Sequence, residues 1–403
     1  MTNRFCLLAA ASTLAFATPA LAAPGDPIPL GEDLIVDLQV ATRLRYEMVD
    51  QPNLPDEANA VTARARVGAE FSAWGIKLLV EGEGTGALVN DYNDTLPFNG
   101  AEPYPVVADP ENIELNRLQL SYVSNGSGVT VGRQRINMGN QRFVGAVGWR
   151  QNEQTFDAIR GQLKTGPVSF DAVLASSQRT IFGDHSPNGH FDGTLFLGNV
   201  VLDLPVVDAT AFTYLLDYET RLAMSSQTYG LTVSAAIPVG GMAFNASATV
   251  ATQEDAGGNP TNYRTEYLQA ELGTTLAGFT VSVAFEELGS DHGVASFQTP
   301  LATLHAFQGW ADLFLTTPAN GVRDYYATVR RQVAVPALGN VTAQVAYHEF
   351  DSAYGGLSYG SEWDASLGFR VGPFNIVAKY ANYDSDGFAV DTQKFWLQAE
   401  WGF

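Results

Sequence analysis

The 403-residue sequence contains one cysteine, Cys6, and little positive charge. A single cysteine excludes an intrachain disulfide and a multi-cysteine metal site. Lysine and arginine number 22 against 43 aspartate and glutamate residues, a net charge of −21 that argues against nucleic acid as a partner. Outside residues 1–22, no apolar run approaches the roughly 20 residues of a membrane helix. The five histidines lack the i, i+4 spacing of a helical metal site, so we predict no metal and no other cofactor.

Residues 1–22 are typical of a secretory signal peptide. Arg4 supplies the positive start, residues 5–17 form an apolar stretch too short to span a bilayer, and residues 20–22 read Ala-Leu-Ala, a cleavage site. Its removal leaves 21 basic and 43 acidic residues, a net charge of −22. No linker rich in proline, serine or charge interrupts residues 23–403, which we expect to form one domain.

The remaining sequence alternates between apolar and polar residues in segments of about ten residues, the pattern of transmembrane β-strands. In residues 61–73, valine, alanine and phenylalanine hold one parity, while threonine, arginine, glycine, glutamate and serine hold the other. Eighteen segments share this character: 34–49, 60–73, 76–89, 113–123, 129–136, 154–163, 168–177, 190–202, 206–217, 226–237, 242–254, 261–276, 279–288, 324–335, 341–354, 361–371, 374–383 and 392–403. Segments 129–136 and 154–163 alternate less cleanly, which predicts a bulge or a strand end there.

The connections between these segments alternate in length. Tight turns follow the even-numbered segments, at residues 74–75, 125–126, 166–167, 204–205, 240–241, 277–278, 339–340 and 372–373. Longer connections follow odd-numbered ones, among them 50–59, 90–112, 137–153, 178–189, 289–323 and 384–391. This sorting predicts an all-β protein, an antiparallel transmembrane barrel of about 18 strands with short periplasmic turns, longer extracellular loops and periplasmic termini. Loop 289–323 is long enough to fold inward.

The location and the partners follow from this architecture. A barrel of this kind belongs in the outer membrane of a Gram-negative cell, where lipid and lipopolysaccharide surround it. The final strand ends in Trp401-Gly402-Phe403 and resembles the signal that the barrel-assembly machinery recognises.

Charged residues concentrate on the lumen parity of the first strands. Arg43 and Arg45 share one parity, and Arg64 and Arg66 share the polar parity of the next strand. A turn centred on residues 54–55 would pair Arg43 with Arg66 and Arg45 with Arg64, which gathers four guanidinium groups on one face. The next turn pairs Arg66 with Glu83, so Glu83 would offset one arginine only. The cluster predicts attraction of anions, and a mixed-charge wall is the structural alternative.

A basic segment, residues 131–160, stands out in this acidic chain. Its Gly132-Arg133-Gln134, Gln141-Arg142, Val144-Gly145, Trp149-Arg150-Gln151-Asn152 and Thr155-Phe156-Asp157 resemble the alginate export family of outer-membrane barrels. Residues 80–94 and 104–122 resemble that family as well. The resemblance implies an arginine-lined pore for an anionic polysaccharide, in which Arg133, Arg150 and Asp157 match family positions. The chain is short for the family, and its tight periplasmic turns offer no counterpart of the family's plug loop.

Together, the lumen parity and the resemblance select the residues that we expect to line the pore or bind the solute. They are Arg43, Arg45, Arg64, Arg66, Glu70, Glu81, Glu83, Arg117, Arg133, Arg135, Arg150, Asp157 and Arg160.

Other functions remain as alternatives. One is a selective or general diffusion porin for small anions or sugars, and another is a surface barrel without transport. Residues 356–360 match the G-x-S-x-G pattern of hydrolases but lack the strand–turn–helix setting that it requires, so we predict no enzyme activity and no catalytic residue. The acidic segments 91–94 and 384–387 lack a complete calcium-loop pattern and are interpreted as solvated turns.

Overall fold

The structure is a computed structural model that describes residues 25–336 and 338–403, so the predicted signal peptide lies outside the described residues. Its main feature is a closed wall of antiparallel strands, in which each strand pairs with its neighbours in sequence. The wall strands are β2 (Ile35–Asp50), β3 (Ala58–Ala73), β4 (Ile76–Asp91), β5 (Asn112–Ser124), β6 (Ser127–Gln134), β7 (Thr155–Thr165), β8 (Val168–Arg179), β9 (His190–Asp203), β10 (Val207–Tyr218), β11 (Ser226–Val239), β12 (Met242–Asp255), β13 (Arg264–Leu276), β14 (Phe279–Leu288), β17 (Val322–Val335), β18 (Gly339–Asp351), β19 (Ser358–Val371), β20 (Phe374–Ser385) and β21 (Thr392–Gly402).

Three short strands and two short helices complete the described elements. Strand β1 (Ile28–Pro29) pairs with β2, and β15 (Ser290–Asp291) pairs with β16 (Ala295–Ser296) in the loop after β14. The helices are 3-10 turns at Leu222–Met224 and Leu304–Ala306. Across the described ranges, no helix is long and apolar enough to cross a membrane.

The last strand closes the barrel. β21 pairs with β2 from Ala41↔Gly402 to Asp50↔Gln393, and Val40 and Phe403 exchange two backbone hydrogen bonds of 2.9 Å. Closure gives the backbone groups at the sheet edges a partner, which a barrel in lipid requires. The predicted architecture is therefore confirmed, and each predicted segment agrees with a wall strand to within a few residues.

Side chains alternate between the two faces of the wall as predicted. Leu44 is 47% exposed on the outside, whereas Arg45 is fully buried inside; Val67 is 59% exposed, whereas Arg66 is 7% exposed. Successive residues of a strand point to opposite faces, so the apolar set faces lipid and the charged set faces the lumen.

Tight turns join the strands at the periplasmic end. Trp74 and Gly75 have φ angles of 50° and 82°, the left-handed pair of a type I′ turn, which suits the twist of a hairpin. The predicted turn at residues 339–340 is wrong, because Gly339 already pairs with Val335 and begins β18. Pro336 follows β17 directly and has no N–H to continue the ladder, so the turn comes earlier.

The register of the first hairpin also differs from the prediction by two residues. Arg43 pairs with Arg64, Arg45 with Thr62 and Ala41 with Arg66. The turn is centred between Asn53 and Leu54, where the N–H of Leu54 bonds to the carbonyl of Gln51. Between β3 and β4, the expected pair Arg66↔Glu83 is confirmed, and Gly68 pairs with Glu81.

Two extracellular connections fold into the lumen. We call residues 135–154 the first inserted loop and residues 289–321 the second inserted loop. Phe143 of the first loop contacts Phe212 and Tyr267 of the wall and Phe297 of the second loop, with ring centroids 4.8, 5.1 and 6.1 Å apart. The inward path of the second loop confirms the prediction, and a register shift at residues 157–158 beside the first loop confirms the predicted bulge. The hydrophobic core therefore lies inside the barrel.

Candidate functional site

Arginines on β2 and β3 hold the backbone of the first inserted loop. Arg43 donates hydrogen bonds to the carbonyls of Trp149 (2.9 Å) and Arg150 (3.0 Å), and Arg45 also donates to that of Trp149. Arg66 donates to the carbonyl of Gln151 at 3.3 Å. These side chains point into the lumen as predicted, but they end on the loop and anchor it across the pore.

All four arginines of β2 and β3 have a carboxylate partner. Arg43 and Arg64 share Glu400, at 3.3 and 3.0 Å. Arg45 pairs with Asp109 at 3.3 Å, and Arg66 pairs with both Glu83 and Glu153. The expectation that Glu83 offsets only one of four otherwise unpaired arginines is wrong, because strand β21 and two loops bring further carboxylates to the cluster.

A second group of charges surrounds Glu81 on the adjoining wall. Arg117 and Arg135 both bind Glu81, at 2.5 and 3.0 Å, and Arg135 also pairs with Glu153. The arginine side chains are 15% and 28% exposed, whereas Glu81 and Glu153 are 5% and 3% exposed. The guanidinium groups therefore cover their carboxylates and present the positive side to the lumen.

Apart from Arg150 in the first inserted loop, the remaining predicted site residues lie elsewhere along the wall. Arg133 binds Asp157 through two parallel hydrogen bonds of 2.8 and 3.0 Å, the strong bidentate geometry. This pair lies on the outer face, because Arg133 is two residues from Val131 and Asp157 is two residues from Ile159, which are 45% and 53% exposed. The prediction that Arg133 and Asp157 line the pore is therefore wrong. Arg160 binds Asp171 in the same way, at 2.9 and 2.5 Å. Glu70 pairs with Lys77 at 2.6 Å beside the turn between β3 and β4, apart from the arginine clusters.

Asp312, at the tip of the second inserted loop, joins that loop to the first. Its carboxylate contacts Arg150 at 2.7 Å, Lys394 of β21 at 3.3 Å and His305 at 2.8 Å. Arg150 in turn binds Glu47 of β2 at 3.1 Å. Burial alone would raise the pKa of Asp312, but His305, Lys394 and Arg150 outweigh it, so the pKa lies well below its usual range.

His305 lies between Asp312 and Lys379 of β20. Burial lowers the pKa of His305 to about 3, and the Lys379 ammonium group adds to this effect against the opposing Asp312. The ring is therefore neutral at pH 7: its Nδ1–H donates to Asp312, and its Nε2 accepts from Lys379 at 2.6 Å. The ammonium also lies 4.2 Å from the ring of Trp149 and 3.6 Å from that of Trp310, one tryptophan from each inserted loop. Lys379 thus contacts both loops through cation–π interactions.

Carboxylates on two further wall strands also hold the loops. Glu362 of β19 accepts hydrogen bonds from the backbone N–H groups of Trp310 (2.5 Å) and Ala311 (2.7 Å). Glu286 of β14 binds Arg142 of the first loop at 2.5 Å. The loops are therefore bound to several wall strands by side chains of both charges, and they narrow the lumen between the extracellular and periplasmic openings.

Sequence reasoning missed several residues of this site. Lys379, Lys394 and Glu400 occupy the lumen parity of predicted strands, so the alternation could have identified them. Asp109, Glu153, His305 and Asp312 lie in loops, where no periodicity indicates which side chains face the lumen. Within residues 25–336 and 338–403, no group of three or more histidine, cysteine, aspartate or glutamate residues could hold a metal ion.

Comparisons with known proteins agree with this geometry. Residues 35–268 match the family model described as alginate export. Pseudomonas aeruginosa OccK9 (OpdG) superposes with a TM-score of 0.71 and 14% identity over 91% of this chain and 98% of that one. OpdK from the same organism, in a structure with vanillate, gives 0.70 and 13% over 91% and 98%. Acinetobacter baumannii OccAB2 gives 0.69 and 15% over the same shares. At these identities the likeness concerns the fold. No curated protein matches the chain.

Proposed function

The chain belongs to the alginate export family and is an outer-membrane channel, not an enzyme, and we propose that the solutes it passes are anions. The observation that carries this proposal is the exposure of Arg117 and Arg135 over the more deeply buried Glu81 and Glu153. A solute in the lumen meets the guanidinium groups before it meets their carboxylates. The family membership makes an anionic polysaccharide the first solute class to test.

Under this proposal, the four buried arginines on β2 and β3 have a different role. Arg43, Arg45 and Arg66 hold the first inserted loop, so they shape the constriction rather than contact the solute directly. Arg64 binds Glu400 at 3.0 Å, and the Arg64 side chain is 1% exposed, whereas the Glu400 side chain is 33% exposed and faces the lumen. At that one position the carboxylate is the more exposed partner, and we expect it to oppose anion passage.

A general diffusion porin is the less favoured reading, because both inserted loops are bound to the wall by buried ion pairs. A surface barrel without transport does not require a lumen lined by charged pairs. We further propose the barrel-assembly machinery and lipopolysaccharide as partners, on the grounds of the alternating final strand and the outer-membrane location.

Reversal potentials in a planar bilayer test the proposal. Arg135→Gln should reduce the preference for anions, and Glu400→Gln should increase it, because each removes the more exposed member of a lumen cluster. Arg264→Gln is the matched control, since Arg264 is 71% exposed at the outer end of β13. Both shifts should shrink from 0.1 M to 1 M salt, as the Debye length falls from about 10 to about 3 Å. A wild-type pore that prefers cations would refute the proposal.

A further inference from the structure

A cavity of about 290 Å³ lies at the extracellular side of the inserted loops. Its walls come from extracellular connections, including residues of both inserted loops, the loop after β8 and the loop after β10. Binding sites for small organic ligands begin at about 300 Å³, so this cavity is of a size for one ring. It lies on the outer approach to the constriction and is separate from the Glu81 cluster.

The charges around this cavity differ from those of the whole chain. Arg150 and Arg221 line it, and Asp312 is its sole acidic lining residue. Asp312 already contacts Arg150, Lys394 and His305. Arg221 has no carboxylate partner among the described residues, although the chain carries 43 acidic residues. An unpaired guanidinium beside a cavity in so acidic a protein is a ready site for an anion.

Arg221 is held in place by an aromatic platform. Its guanidinium carbon lies 4.6 Å from the ring centroid of Phe191, which leaves the edge of the planar group free to donate hydrogen bonds. Phe191 packs edge-on against Tyr218, and the Tyr218 hydroxyl donates to Gln178 at 2.6 Å. Gln178 donates to Gln154, which donates in turn to carbonyls of both inserted loops. The platform is thus continuous with the constriction, and such prior ordering lowers the entropic cost of binding.

We propose that this cavity binds a carboxylate carried on a six-membered ring, with Arg221 as the ligating cation and apolar side chains such as Phe182 and Leu315 against the ring. The inference rests on the proposed function, because it names the solute class that occupies the outer approach. The ring could belong to a sugar acid or to an aromatic acid. The shared chemistry is one carboxylate beside one flat or chair-shaped ring.

Calorimetry on the detergent-solubilised full-length barrel separates these sources. Glucuronate and benzoate are the carboxylate probes, and methyl glucoside and benzamide are their neutral counterparts. We expect at least one carboxylate to bind and its neutral counterpart to bind at least tenfold more weakly. Arg221→Gln should raise the Kd of the carboxylate by about 10- to 100-fold, the loss of a charged hydrogen-bond pair. Arg264→Gln should leave it unchanged.

The outcomes distinguish this inference from the proposed function. If neither carboxylate binds, or if Arg221→Gln binds as the wild type does, the cavity assignment is wrong even when the pore prefers anions. Carboxylate binding that Arg221→Gln weakens, in a pore that prefers cations, supports the cavity and refutes the anion channel. Arg221 lies in a loop, so unchanged heat-modifiable gel mobility of the variant would show that the barrel still folds.

Discussion

Replacing Asp312 with asparagine should release the second inserted loop. The substitution keeps the size of the side chain but removes the charge that contacts Arg150, Lys394 and His305. Arg150 retains Glu47 at 3.1 Å, whereas Lys394, 6% exposed, has no other carboxylate within 4 Å among the described residues. Leaving one buried charge unpaired costs about 3–5 kcal/mol.

That free energy should appear as local opening and not as unfolding of the barrel, because the strand ladders are untouched. A change of about 3–5 kcal/mol raises the open fraction of the loop by roughly two to four orders of magnitude. Hydrogen exchange of residues 297–316 should therefore accelerate, and the mean conductance in planar bilayers should increase. The double variant Asp312→Asn, Lys394→Gln should recover part of the protection, because it removes the stranded charge as well.

Asp386→Asn is the matched control, since Asp386 is an exposed residue of the loop after β20. It makes the same chemical change without touching the inserted loops and should alter neither measurement. If Asp312→Asn keeps wild-type exchange and conductance, the ion pairs at the tip do not hold the loop, and the packing around Phe297 and Phe314 must do so instead.

The other predictions concern pH, topology and assembly. The pKa of His305 is about 3 in the folded protein against an ordinary 6.5, so protonation of His305 favours the open state of the second inserted loop. The protection of that loop from hydrogen exchange should therefore fall as the pH drops from about 6.5 toward 3, by at most about 1.4 kcal/mol per pH unit. A protection factor, corrected for the intrinsic exchange rate at each pH, that does not change between pH 7 and 4 would contradict this. Protease added to intact cells should cut in extracellular loops such as residues 92–111, where Phe98 is 98% exposed; cleavage at residues 125–126 would reverse the topology. Deleting Phe403 should lower the yield of heat-modifiable barrel, since its backbone pairs with Val40 at closure; an unchanged yield would argue against an assembly role.

The alternation of apolar and polar side chains in the sequence predicted most of the fold. A strand places successive residues on opposite faces, so the order apolar–polar is readable without any knowledge of the partner strand. Val67 and Arg66 illustrate this, one exposed to lipid and the other buried in the lumen. The lengths of the connections then assigned the two ends of the barrel. Both signals are local, and together they were sufficient for the architecture and the location.

The alternation and the connection lengths did not predict the roles of individual charged residues. In the first hairpin, a turn centre displaced by one residue moved each cross-strand pair by two and placed Arg43 opposite Arg64. The alternation is unchanged by a shift of two residues, because it has a period of two, so the sequence pattern could not detect the difference.

Contacts between distant segments of the chain decide the role of each arginine. Arg43 meets Glu400, 357 residues away, and Arg150 meets Asp312, 162 residues away, only because the barrel closes and two loops fold into it. A guanidinium group binds any carboxylate that packing brings near it, so the residues beside an arginine in the sequence do not predict its partner. The sequence alone therefore determined which face of the wall most strand residues take, and the tertiary structure decided which loop residues enter the lumen and which charged side chains anchor the loops.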